Sequence, residues 1–403
     1  MARRFYYVAA GKMYRYENGA DEEIGSGILN SYIRKVKDSA ERTEWKYNGS
    51  GAAFTGNYRP GSSAEDRVSA IRSQINCVGE HNGDLIYSID IDSTNGIYRR
   101  NPEDRENEGI VLCSSSVGYR EFDIVDNLMV TSAYFAGESH IAIMDLSTKG
   151  YNTYTEGRTK DFSPVWSRAR KGSVLFCSAG LPEGQEFREE SDEEPRGLSQ
   201  MVSEMYSRAA DEVLGPTSIA ELDVFGGTLR DVLADDKYDF THPQSMPDGS
   251  LYYIRKPYKQ NTSGTGFGCL GDIIMLPVRL IYAIFGFLNV FSAKYSGKTL
   301  SSREVKGRDE RQTFIDGNLI NAERELKENK RKGDKNPGII PHSWELHRRM
   351  PDGSDVLIKK GVLAYRADED GTLLISNGSH ILSIDGEGKE ERILNAPSVT
   401  FIK

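Results

Sequence analysis

Short runs of alternating apolar residues recur along almost the whole chain, each closed by a Gly, Asp or Asn turn. This rhythm predicts an all-β protein assembled from hairpins. The clearest unit begins at Asp161. Residues 161–167 (DFSPVWS), 173–179 (SVLFCSA), 218–224 (SIAELDV) and 228–233 (TLRDVL) read as four successive antiparallel strands. Such a unit is one blade of a propeller.

A second copy starts at Tyr238, where DFTHPQSMPDGSLYYI (239–254) aligns with DFSPVWSRARKGSVLFC (161–177). Further units are read at 72–80, 84–90, 95–100 and 109–114; at 119–126, 128–135, 139–145 and 151–156; and at 362–368, 372–377, 380–384 and 390–394. Asn82-Gly83, Asp370-Gly371, Asn377-Gly378 and Asp385-Gly386 supply the positive φ angles that two-residue hairpins require. Near the N-terminus, strands at 4–9, 12–17 and 21–26 lack an innermost partner, while Ser398–Ile402 is one strand too many. Pairing these ends completes a sixth blade and removes the exposed edges of an open sheet. A seventh blade within 27–66 is the alternative to a six-bladed propeller.

The pattern of Pro164, Trp166-Ser167, Pro247-Asp248-Gly249 and the following apolar strands resembles the TolB-like (WD40-like) repeat. One copy carries the Trp-Ser pair and the other the Pro-Asp-Gly turn. The resemblance covers the chain outside 27–66, 181–216 and 259–342. It implies a β-propeller that binds a protein or peptide segment in its axial channel or on one face. TolB itself is periplasmic, with a signal peptide and an N-terminal domain that this sequence does not match, so the envelope role is not carried over.

The net charge of −9 opposes a whole-surface attraction to nucleic acid, and no nucleic-acid partner is expected. Cys77, Cys113, Cys177 and Cys269 form no CxxC pair, which suits reduced thiols. The opening MARRFYYVAAGKMYRYENG has too short an apolar run for a secretory signal. The expectation is a cytoplasmic protein, with peripheral contact at the inner face of a membrane.

Three insertions interrupt the domain, which is otherwise read as a single propeller spanning 1–403. Residues 27–66 read as irregular. Residues 181–216 read as an acidic loop (EGQEFREESDEEPRG) followed by an amphipathic helix, and 259–342 as a hydrophobic helix followed by a charged helix over roughly 312–332. The segment GCLGDIIMLPVRLIYAIFGFLNVFSAKY (268–295) is the most hydrophobic in the chain. Within it Ile273, Ile274, Leu280, Ile281, Ile284, Phe285, Leu288 and Phe291 form a wide apolar face, while Asp272, Arg279, Tyr282, Gly286 and Asn289 share one polar stripe. Such a face must be covered by the protein itself, a membrane or a partner protein. Lys294, Lys298, Arg303, Lys306, Arg308 and Arg311 follow it and suit anionic headgroups. Arg279 at mid-helix favours lying on a membrane over crossing it.

No catalytic constellation emerges. His342 and His347 fall on opposite faces of a strand, so no metal site is expected. The run Asp90–Gly96 has its glycine one position late for a calcium loop and reads as a hairpin turn. Gly264, Gly266 and Gly268 lack a strand–turn–helix context for phosphate binding, no GxSxG elbow occurs, and no cofactor is implied. Asp123, Asp161, Asp239 and Asp368 are the candidate channel-lining binding residues. The expected function is a non-enzymatic protein-interaction or scaffolding propeller, docked on a membrane surface or partner through the hydrophobic insertion. The alternatives are a hydrolase or lyase acting on a sugar or small substrate at the channel mouth, and a purely structural subunit.

Overall fold

The repeated apolar runs fold as antiparallel meanders, because each run is flanked by turn residues; the second strands are buried along most of their length, while the fourth strands are largely exposed. The computed structural model describes residues 4–44, 64–92, 94–101, 108–135, 138–180, 214–258, 312–315 and 318–403. Two units divide the chain: Met1–Ile24, Gln74–Gln260 and Arg311–Lys403 form the first, and Gly25–Ser73 with Asn261–Glu310 form the second.

In the first unit, β1 (Arg4–Ala9), β2 (Lys12–Glu17) and β3 (Ala20–Ile24) are consecutive neighbours. The second meander is β4 (Ser73–His81), β5 (Asp84–Ile91), β6 (Thr94–Arg100) and β7 (Glu108–Ser114). The third is β8 (Gly118–Val125), β9 (Leu128–Phe135), β10 (Glu138–Asp145) and β11 (Tyr151–Thr153). The fourth is β12 (Thr159–Trp166), β13 (Ser173–Gly180), β14 (Ser218–Asp223) and β15 (Thr228–Leu233). The fifth begins with β16 (Tyr238–Ser245) and β17 (Leu251–Pro257). A separate hairpin follows, β18 (Gln312–Ile315) with β19 (Asn318–Asn321), and the meander resumes at β20 (Glu345–Arg349) and β21 (Asp355–Lys360). The sixth is β22 (Ala364–Ala367), β23 (Leu373–Ser376), β24 (His380–Ile384) and β25 (Glu390–Asn395). Finally β26 (Val399–Ile402) lies antiparallel to β1, with Tyr7 opposite Ile402 and Ala9 opposite Val399, and completes the first meander.

The described residues thus hold six four-stranded meanders, and each is bonded to the next. Ile75 N–H donates to Gly11 O (2.9 Å) and Cys77 Sγ–H to Phe122 O (3.5 Å). Trp166 N–H donates to Asp123 Oδ2 (3.0 Å), Phe240 N–H to Thr217 O (2.9 Å), Gln244 Nε2 to Ala367 O (2.6 Å) and Ser398 N–H to Gly378 O (3.0 Å). Strand periodicity assigns side chains to successive junctions. On β13, Val174 and Phe176 pack with Val130, Ile141 and Ile143 of the third meander, while Leu175 faces Phe240, Leu251 and Tyr253 of the fifth. Both faces are covered, which explains the unbroken apolar run of that strand. Four-stranded meanders linked in a closed series, the first shared between the two ends of the chain, are the architecture of a β-propeller.

Two sequence expectations need correction. The stretch 27–66, read as irregular, contains α1 (Gly27–Glu44), and α2 (Ala64–Ser69) lies at its end. Ser26 caps α1, its Oγ accepting Leu29 N–H at 3.1 Å, and Ile28, Tyr32, Ile33, Val36 and Ala40 recur at helical spacing. The charged helix over 312–332 is instead the β18–β19 hairpin followed by α3 (Ala322–Arg331). Asp316-Gly317 occupies the two positions between the paired residues Ile315 and Asn318, and such a pair favours a tight turn over a helix. Asn321 then caps α3, accepting Arg324 N–H at 3.0 Å. A strand for a seventh meander does not occur among the described residues of 27–66; residues 45–63 lie outside them. The helix expected in 181–216 also lies outside the described residues, as does the apolar segment 268–295.

Candidate functional site: bulged inner strands and the insertion face

Three consecutive inner strands carry a bulge at matching positions. Register shifts fall between Tyr119 and Phe122 in β8, Phe162 and Val165 in β12, and Thr241 and Gln244 in β16. The residues thrown out of register are Arg120-Glu121, Ser163-Pro164 and His242-Pro243. Proline suits a bulge because it has no N–H to offer the ladder. Ser163 and His242, each just before the proline, sit at φ 50° and 55°, where only glycine is at ease. Strain of this kind persists only where neighbours hold it, and it is frequent at binding sites.

Those neighbours are visible. Glu121 Oε2 accepts Ser163 N–H at 2.9 Å, Ser132 Oγ–H at 3.1 Å and Tyr134 O–H at 3.4 Å. Burial, followed by the adjacent Glu121 charge, holds the Tyr134 hydroxyl well above its ordinary range. Arg120 lies over the Tyr134 ring at 4.8 Å and pairs with Asp90 at 3.6 Å. Burial raises the Asp90 carboxyl despite that arginine and the Asn76 amide at 3.1 Å. On the other side, Tyr365 O–H donates to His242 O at 2.5 Å, and Gln244 makes two bonds to the backbone of Ala367. One polar cluster therefore links the second, third and fourth meanders, and a second one links the fifth and sixth.

The four candidate aspartates do not form one ring. Asp123 and Asp368 lie near the turn joining first and second strands, whereas Asp161 and Asp239 lie at the other end of theirs, opposite Ser178 and Lys256. Each is engaged locally. Asp123 accepts Trp166 N–H and Lys403 Nζ, Asp161 accepts Ser178 Oγ–H at 2.7 Å, Asp239 accepts Thr217 N–H at 2.8 Å, and Asp368 accepts Arg366 Nε at 2.7 Å. Register, which a sequence does not display, separates them. Sequence reasoning passed over Glu121, Tyr134 and Lys403; Pro164 and Pro243 inside strand patterns were the available sign of the bulges. Among the described residues no group of three His, Cys, Asp or Glu could hold a metal ion, and no helix is long and apolar enough to cross a membrane.

The long insertions share an end of the first unit. In an up-and-down meander the turns from second to third strand, and the links from fourth strand to the next first strand, lie on the same side. Residues 25–73 follow a fourth strand, while 181–217 and 258–344 follow second strands. The bases of the last two are bonded: Gly215 N–H donates to Gly180 O (2.7 Å), Tyr258 O–H to Leu214 O (2.7 Å) and Tyr258 N–H to Lys237 O (2.8 Å).

The returning half of the larger insertion is fastened down. Asn329 Nδ2 donates to Gly338 O and Ile340 O, both at 2.9 Å, and Asn377 Nδ2 to Asn336 O at 2.8 Å. Ile320, Ile340, Trp344 and Leu363 pack together, with Lys256 Nζ 4.0 Å from the Trp344 ring centre. A Cβ on Gly338 would stand 2.2 Å from Asn377 O. Gly338→Ala should therefore lift this strap from the β23–β24 turn and cost about 1–3 kcal/mol in urea unfolding, with faster proteolysis within 332–344.

With this geometry in hand, the class is clear: the chain has a β-propeller fold. Among solved structures it is similar to TolB from Acinetobacter baumannii, at 9% identity and a TM-score of 0.48, covering 99% of this chain and 66% of that one. It is also similar to a chain of the nidogen/laminin complex (6%, TM-score 0.46, covering 99% and 97%) and to oligogalacturonate lyase from Vibrio parahaemolyticus (11%, TM-score 0.38, covering 81% and 80%). No protein-family model and no curated protein sequence matches the chain.

Proposed function

We propose that this chain is a non-enzymatic interaction platform, a six-bladed propeller that engages a protein or peptide partner on the face from which its insertions leave. The observation that carries this reading is the shared origin of the three long insertions at one end of the strands, two of them hydrogen-bonded at their bases. Loops of that length on a rigid scaffold are where binding surfaces are built. The bulged inner strands lie beneath that face and offer a polar lining of Arg120, Glu121 and Tyr134. Residues 268–295, followed by their basic run, add a contact for a cytoplasmic membrane surface or a partner.

The enzymatic alternative needs a carboxylate poised to exchange a proton, and Asp123, Asp161 and Asp239 are instead engaged in bonds between chain segments, while Asp368 is bonded to Arg366 beside it. Site-specific photo-crosslinking in cells separates the readings. A benzophenone side chain at Phe135 or Lys237, on the insertion face, should trap a discrete protein partner. The same group at Phe225 or Asp352, in turns at the opposite end, should not. Equal trapping from both ends would overturn the proposal. So would turnover of a sugar substrate by the purified chain that is lost in Glu121→Gln.

A further inference from the structure

Two buried histidines repeat one arrangement beside the insertions 181–217 and 258–344. In Glu138-Ser139-His140 and Glu345-Leu346-His347 the histidine stands two residues after a glutamate, at the start of a third strand, β10 or β20. Strand periodicity puts each glutamate and its histidine on one face. His140 Nε2 lies 3.6 Å from Glu138 Oε2, and its Nδ1 lies 3.8 Å from Asp161 Oδ2. His347 Nε2 lies 3.3 Å from Glu345 Oε2, and its Nδ1 lies 3.3 Å from Asp355 Oδ2. An aromatic ring flanks each imidazole, Phe135 at 5.2 Å from His140 and Tyr253 stacked at 5.6 Å on His347. Both histidines are buried, and neither Nδ1 has a hydrogen-bond partner among the described residues.

An ionised carboxylate only accepts hydrogen bonds, and a neutral imidazole has a single N–H. With a carboxylate beside each nitrogen, a neutral ring must turn its lone pair toward one of them, whereas the imidazolium offers an N–H to both. The same carboxylates reach the insertion bases. Asp161 Oδ1 accepts Ser178 Oγ–H at 2.7 Å, just before 181–217 departs, and Ser218 Oγ–H donates to Ser178 O at 3.3 Å where it returns. Lys160, the charged neighbour of Asp161, falls on the opposite face of β12. Asp355 Oδ2 accepts Tyr253 O–H at 2.7 Å, on the strand that runs into 258–344. On the returning strand Glu345 takes Arg255 Nη2 at 2.7 Å and Lys360 Nζ at 3.3 Å.

We propose that His140 and His347 are proton-linked clamps, whose imidazolium forms draw the paired carboxylates together and hold the two insertion bases. Histidine changes charge between about pH 5 and 8, while carboxylates stay ionised. The bases are therefore held at mildly acidic pH and loosen as pH rises. The clamps stand independently of the interaction reading; if both hold, pH sets how firmly the binding face is presented.

Hydrogen exchange on the full chain tests the clamps. Between about pH 5.5 and 8, with the intrinsic rise in amide exchange divided out, peptides 176–180 and 254–258 should gain about tenfold more exchange than β5 and β23. His140→Gln removes the charge but keeps a hydrogen-bonding side chain. It should abolish the extra rise at 176–180 and leave that at 254–258, and His347→Gln should do the reverse. The proposal fails if wild type shows no extra rise, or if each variant keeps the rise it should lose. Protection of β5 and β23 reports folding in each variant. Should a variant not fold, the imidazole proton resonances of wild type decide. Both buried histidines must titrate over the interval in which exchange changes, and rings that stay neutral throughout it overturn the clamp.

Discussion

Deleting residues 398–403 should abolish cooperative folding of the first unit. Val399 and Ile402 are buried within a cluster formed by Phe5, Tyr7, Leu374, Ile381 and Ala396, so the deletion strips the cover from both β1 and the sixth meander. Each of the two lost side chains contributes about 1.5–3 kcal/mol by burial. The paired bonds Tyr6 N–H to Lys403 O (2.7 Å) and Lys403 N–H to Tyr6 O (2.8 Å) go with them, as does Ser398 N–H to Gly378 O, each worth roughly 0.5–1.5 kcal/mol. The total approaches the 5–15 kcal/mol that separates a typical native domain from its unfolded state. It also leaves β1 as a bare edge with Phe5 and Tyr7 uncovered, which invites intermolecular pairing. Urea unfolding followed by tryptophan fluorescence should lose its sigmoidal transition, and size-exclusion should show aggregates. A variant that unfolds within about 1 kcal/mol of wild type would mean that the last strand is an accessory and the closure lies elsewhere.

How much of this was legible in the sequence depends on the range of the interaction. Strands fixed by alternation and by Asp-Gly or Asn-Gly turns were readable, since both signals are local. The strand left over at 398–402 beside an N-terminal group lacking one was readable by counting. The β18–β19 hairpin carried its own signal in Asp316-Gly317, but the charged residues beyond it favoured a helix over the whole stretch, and helix begins only after the Asn321 cap. The helical stripe of α1 after Ser26 is local, but the aromatic and glycine-rich residues that follow it, Trp45 to Gly56, have the composition of strands and turns and compete with it over the same stretch. The functional residues were harder. Asp123, Asp161, Asp239 and Asp368 look equivalent as acids in first strands, yet a shift of a few positions along a strand moves a carboxylate from one end of the propeller to the other. The bond from Ser163 N–H to Glu121 crosses from one meander to the next and has no local trace beyond the proline that follows Ser163.

The interblade role of Asp123 yields the second large effect. Its side chain is 4% exposed and sits at the junction of three chain segments: Trp166 N–H donates to Oδ2 at 3.0 Å, Lys403 Nζ to Oδ1 at 2.8 Å, and Arg168 lies 3.3 Å from Oδ2. Burial alone would raise this carboxyl, but the charges of Lys403 and Arg168, then the hydrogen bonds from Lys403 and Trp166, outweigh it and hold the group below its ordinary value. Asp123→Asn keeps the shape while removing the charge and turning one acceptor into a donor that faces Trp166 N–H or Lys403. A hydrogen bond to a charged group contributes about 1.5–3 kcal/mol, and the two cations are partly exposed and screened, so the expected loss is roughly 2–4 kcal/mol at neutral pH. The sign of the pH dependence follows from the depressed value. The stabilisation is fully present above the unfolded-state value near 4 and is lost as pH falls through the lower folded-state value. Wild type should therefore lose stability below about pH 4 more steeply than Asp123→Asn, and the two curves should converge in acid. Parallel curves, with the same difference at pH 7 and pH 2.5, would show that Asp123 acts through packing and not through its charge. Lys403→Met, which keeps the aliphatic stem, should reproduce a part of the neutral-pH loss, because the carboxylate would retain Arg168 and Trp166 but not its nearest cation.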